Sequence, residues 1–80
     1  MSAASIHITH TIIDVRQPDD FFKGHISGSI NIPLEELSSH IEEVRFMDNL
    51  LIADIPPGTL SRKAHLILEE NKIAHTYRGN

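Results

Sequence analysis

The sequence predicts a small α/β domain, a mostly parallel sheet flanked by helices on both faces. Two observations carry this reading. Strand-like and helix-like segments alternate every ten to fifteen residues or so, the rhythm of βαβ crossovers. The two strongest strand candidates, "HTIIDV" and "NLLIAD", are nearly continuous apolar runs rather than alternating ones, as expected where a strand is covered on both sides. With 80 residues there is enough chain for one core, so residues 1–80 read as a single domain.

The elements follow in order. "SIHITHTIIDV" alternates from Ile6 to Ile8 and becomes apolar at Ile12, Ile13 and Val15, which predicts the first strand. In "RQPDDFFKGH", Pro18 suits a first helical position, Asp19 and Asp20 suit the first turn, and Gly24 suits the stop. A short strand is expected over Ser29 to Ile32. After it comes a helix started by Pro33, whose apolar positions Leu34, Leu37, Ile41 and Val44 form one stripe. "NLLIAD" predicts a central parallel strand. "SRKAHLILEENK" predicts a helix burying Ala64, Ile67 and Leu68, and "IAHTYRGN" a last short strand. There is no internal repeat, linker or low-complexity segment.

Bulk composition removes several functions. A formal charge of −4, with no cluster of Lys and Arg, argues against nucleic-acid binding. The chain contains no cysteine, which removes disulfides, thiolate metal sites and cysteine nucleophiles. The start, "MSAASIHITHTIIDV", has neither a basic lead nor an apolar run of signal-peptide or transmembrane length, so the expectation is a cytoplasmic protein that does not enter a membrane. The sequence reads equally as an intact small protein or as a domain cut from a longer chain.

In open α/β sheets the ligand crevice lies beyond the carboxyl ends of the strands. "DVRQ" and "DIPPGTLS" both end there, so Asp14, Arg16, Ser61 and the loop backbone are expected near one another. A guanidinium and a helix N-terminus at one rim suit an anion, whereas an Asp–Arg pair at a strand end is as readily structural; both readings stay open.

The stretch "IIDVRQPDDFFKGHISGSINIPLEEL", Ile12 to Leu37, resembles the amino-terminal signature of rhodanese-like domains: D-V-R, an acidic-aromatic turn, G-H-I and N-I-P. "GTLSRKAHLILEENKIAHTYRGN" fits the family's G-x-R-S-x-x-A helix, final strand and terminal glycine turn more loosely. The resemblance implies a rhodanese-like fold, here shortened at both ends. It also implies structural motif positions at Asp14, Gly24, His25 and Asn31, with His25 as a turn residue that hydrogen-bonds locally.

Family members that transfer sulfur hold a sulfane sulfur on a cysteine opening a C-x-x-G-x-R-S loop. Aligning that loop on Gly58 and Ser61 puts the cysteine position at Ile55 and the arginine position at Leu60. Pro56 and Pro57 further remove two N–H donors from a loop that should direct them at an anion. The loop Ile55, Pro56, Pro57, Gly58, Thr59, Leu60, Ser61 therefore reads as degenerate, and no catalytic group is expected there.

The expected function is binding, to a protein partner or a second copy of the chain, without a cofactor. Two rivals remain. One is a sulfurtransferase-related enzyme using Asp54 or a cysteine from a partner. The other is a receptor for a small anion (thiosulfate, sulfate, phosphate) built from Arg16, Ser61 and Arg62. The chain has 6 histidines, but His7 and His10 are three apart on a strand, hence on opposite faces, and no H-x-x-x-H or acid-flanked pair is read on a helix, so no metal is expected.

Overall fold

The computed structural model describes residues 10–53 and 59–77. Its strands form one parallel four-stranded sheet in the order β2-β1-β3-β4. Here β1 is Thr11–Asp14, β2 Ile30–Asn31, β3 Leu50–Ile52 and β4 Thr76–Tyr77. β1 and β3 are the inner pair, with Ile13 opposite Ile52 and Thr11 opposite Leu50. The pairing continues one residue further, where the Ala53 amide donates to the Ile13 carbonyl at 2.9 Å. The start of the predicted first strand, from Ile6 to Thr9, lies outside the described residues, as does the predicted glycine turn at Gly79.

The helices start and stop where local chemistry says they should. α1, Pro18–Lys23, opens on a proline, carries Asp19 and Asp20 in its first turn, and ends with the Gly24 amide donating to the Phe21 carbonyl. The next connection turns at Gly28, whose φ is 85°. The Ser29 amide beside it donates to the Ile26 carbonyl at 3.0 Å, which makes this a type II turn. Glycine suits its third position because a side chain there would be strained.

The second helix differs from expectation. One continuous helix is predicted after Pro33. The structure has α2, Leu34–Leu37, a 3₁₀ turn at Ser38–His40, and α3, Ile41–Arg45. The Ser39 hydroxyl donates to the Glu36 carbonyl at 2.8 Å, a local bond that competes with the regular ladder. The apolar stripe survives the break: Leu37, Ile41 and Val44 are buried and Leu34 packs against them.

α4, Thr59–Glu70, buries Ala64 and Leu68 against the same core, with Ile67 partly buried beside them. It ends in a Schellman turn. The Ile73 amide donates to the Leu68 carbonyl at 3.0 Å and the Lys72 amide to the Glu69 carbonyl at 3.1 Å, with Lys72 in the left-handed region at φ 58°. Ile73 and Leu68, the two residues that this turn brings together, are both buried.

The core gathers Ile13, Val15, Ile32, Leu50, Ile52 and the inner faces of α2 to α4. Ile12 and Leu51, which are register partners, lie on the other face of the sheet and are partly buried. Among the described residues no helix is long and apolar enough to cross a membrane.

Candidate functional site

The carboxyl end of β1 is tied into a compact polar knot. Asp14 is buried, 3% exposed, and its carboxylate takes four bonds from Arg16. The Arg16 backbone amide reaches Oδ1 at 3.0 Å; Nε lies 3.0 Å from Oδ1 and 3.1 Å from Oδ2; Nη2 lies 2.7 Å from Oδ2. The same Nη2 donates to the Gly24 carbonyl at 2.8 Å, which fastens the end of α1 to the end of β1.

The electrostatics follow from this geometry. Burial by itself would raise the Asp14 carboxyl, but the hydrogen bonds from the Arg16 side chain and amide, together with its charge, hold it below the ordinary carboxylate value. The hydrogen bond to Asp14 correspondingly raises Arg16 above its usual value. At the surface nearby, the Gln17 amide donates to both carboxylate oxygens of Glu35, at 2.9 and 2.8 Å, and holds that carboxyl low as well.

Asn31 and His25 complete the knot. The Asn31 side-chain amide donates to the Asp14 carbonyl at 3.0 Å and to the Arg16 carbonyl at 2.9 Å. It thereby joins β2 to the turn that follows β1. His25 Nδ1 donates to the Phe21 carbonyl at 2.7 Å, and its ring stacks on Phe21 with centroids 3.7 Å apart. Two of the three guanidinium nitrogens of Arg16 are thus committed to Asp14 and Gly24, which leaves little of the group to hold an incoming anion.

The rest of the predicted site divides in two. Asp54, Ile55, Pro56, Pro57 and Gly58 lie outside the described residues. Thr59 opens α4, Leu60 is 39% exposed, Ser61 is buried at 3% and Arg62 faces solvent. Aligned on Gly58 and Ser61, the loop has isoleucine at 55 and leucine at 60 where the resemblance implies a cysteine and an arginine.

A second polar cluster lies along α4, where His65, Glu69 and His75 place one ligand-type atom each within 4.8 Å of one another. His65 and Glu69, at i, i+4 on one helix, are an acid-flanked pair after all, contrary to the expectation from the sequence, where helical spacing alone is enough to show it. His75 is not legible there, because only the turn after α4 brings it back beside the helix.

Comparison with known proteins agrees with this architecture. The family model for the Rhodanese-like domain matches residues 2–73. A protein of Gracilaria tenuistipitata var. liui described as "Probable molybdopterin-synthase adenylyltransferase" is 36% identical over 69 residues, covering 80% of this chain and 19% of that protein. The uncharacterized protein YqhL of Bacillus subtilis (strain 168) is 50% identical over 34 residues, covering 42% of this chain and 27% of that protein. These matches span only a fifth to a quarter or so of the length of the two curated relatives. A crystal structure of a Lactobacillus plantarum protein superposes with a TM-score of 0.73 at 23% identity, over 89% of this chain and 61% of that one; at that identity it speaks for the fold alone. With a family match over residues 2–73, nearly the whole chain, this chain belongs to the rhodanese-like domain family, in a form without cysteine.

Proposed function

We propose that this chain is a non-catalytic rhodanese-like domain that acts by binding protein, either a partner or a second copy of itself. The observation that carries the reading is the absence of any cysteine. Sulfur transfer in this family needs a thiolate that can accept and release a sulfane sulfur, and neither a carboxylate nor a hydroxyl replaces it. The commitment of Arg16 to Asp14 and Gly24 favours protein binding over an anion-receptor role. Large apolar side chains remain at the surface for such contacts, with Phe22 79% and Phe46 81% exposed.

The test is thiosulfate-to-cyanide sulfur transfer by the chain beside Ile55→Cys and the double variant Ile55→Cys, Leu60→Arg. The expected result is no turnover by the natural chain. Turnover at enzyme-like rates would overturn the reading and make Asp54 the first residue to replace. Sedimentation of the purified chain across a concentration series then separates self-association from a need for a different partner.

A further inference from the structure

We propose that His65, Glu69 and His75 form a binding site for a divalent transition-metal ion of the zinc class. His65 and Glu69 stand one turn apart on α4, on the same side of the helix. The Schellman turn at Lys72 and Ile73 reverses the chain and returns His75 to them. His65 Nδ1 and His75 Nε2 are 2.8 Å apart, and the Glu69 carboxylate completes a triangle with no side above 4.8 Å.

The proton positions favour a ligand set. His75 Nδ1 lies 2.7 Å from the Ile73 carbonyl. A carbonyl can only accept, so Nδ1 carries the ring proton and the lone pair of Nε2 points into the cluster. Metal-bound histidines are held in this way, the outer N–H on a backbone carbonyl and the inner nitrogen on the ion. The His65 ring is also oriented, stacked on Tyr77 with centroids 4.4 Å apart and planes 10° apart.

Without an ion, a single proton on His65 Nδ1 bridges the two rings. An ion takes the place of that proton, which moves to His65 Nε2, so that both rings bind as neutral imidazoles. Two imidazole nitrogens on a tetrahedral zinc, each about 2.05 Å from it, lie roughly 3.3 Å apart, so the rings need to separate by about half an ångström. Glu69 is exposed, so its carboxylate is free to swing inward, and its charge offsets part of the ion's. Two nitrogens and one oxygen match zinc, nickel or copper rather than magnesium or calcium, which take oxygen ligands. Three protein ligands leave at least one position for water or an outside ligand.

The site is tested by titrating the full chain with zinc chloride. Ring-nitrogen NMR signals of the unmodified protein are followed alongside calorimetry of the chain and four variants: His65→Phe, which keeps an aromatic ring over Tyr77, Glu69→Gln, His75→Gln and His40→Gln. His40 serves as the control because it has its own carboxylate neighbours, Glu43 at 2.9 Å and Glu36 at 4.0 Å. The expected result is one bound zinc, shifts at the ring nitrogens of His65 and His75, and affinity at least about tenfold weaker in His65→Phe and His75→Gln. Ring signals of His65 and His75 unmoved by millimolar-order zinc would overturn the proposal. So would a loss of affinity in His40→Gln with none in His65→Phe or His75→Gln.

Discussion

The Arg16 guanidinium closes on the carboxylate of Asp14, two residues before it, with Nη2 2.7 Å from Oδ2 and Nε 3.0 Å from Oδ1. Asp14 is at the end of an inner strand and buried, so its charge rests chiefly on that partner. Arg16→Ala should destabilise the fold by about 3 kcal/mol, because it strands a buried carboxylate. Arg16→Lys should recover only part of this, since an ammonium cannot make the two-pronged contact. Urea unfolding of the three proteins measures both effects.

Acid should weaken the domain through the same pair. The folded-state carboxyl of Asp14 sits below its ordinary value, so its contribution is present above the unfolded value of about 3.9 and is lost as pH falls through the lower folded value. Stability of the natural chain should therefore drop below about pH 5. In Asp14→Asn that part of the slope should vanish, leaving a protein less stable at neutral pH but flatter in acid. Unfolding midpoints from about pH 7 to about pH 3 give the comparison.

Asn31 spans the carbonyls of Asp14 and Arg16 as a donor to both. Asn31→Asp has nearly the same shape but offers oxygens to two carbonyl oxygens. It should cost more than Asn31→Ala, which should itself cost about 1–2 kcal/mol. If the aspartate variant is the more stable of the two at neutral pH, the amide is not what holds β2 to the β1 turn.

Lys72 closes α4 in the left-handed region, at φ 58°, where a side chain is strained and glycine is not. Lys72→Gly should raise stability by about 0.5–1 kcal/mol. A higher thermal midpoint is the expected reading, and it should come without a change in the β4 amide signals, because the turn geometry is kept.

Leu68 is fully buried where α4 meets the sheet, in the same core as the turn residue Ile73. Leu68→Ala should cost about 3 kcal/mol from lost burial and the cavity left behind. Leu66, on the same helix but 54% exposed, should tolerate alanine with a change of roughly 0.5 kcal/mol or less. Chemical denaturation of the two variants separates the faces of α4.

The order of the elements is legible in the chain because it rests on local chemistry. Pro18 and Gly24 bracket α1, and the runs at Ile12–Ile13 and Leu50–Ile52 are the inner strands β1 and β3. The break at Ser38–His40 is not legible, because the apolar stripe from Leu34 to Val44 is the same for a straight helix and a broken one. Arg16 and Asp14 can be paired from their spacing, but the Gly24 carbonyl that takes the other Nη2 bond comes from the far end of α1.

The stretch from Ile12 to Leu37 carries the resemblance to a family whose model matches residues 2–73, and the lack of a thiol follows from composition, which does not depend on folding. Which polar groups meet depends instead on how the elements pack. His65 and Glu69 are neighbours by helical spacing, but His75 joins them because a left-handed residue at Lys72 turns the chain back along α4. Periodicity reports which face of an element a residue occupies; the direction of the chain after a turn depends on backbone geometry and on the packing of Ile73 against Leu68.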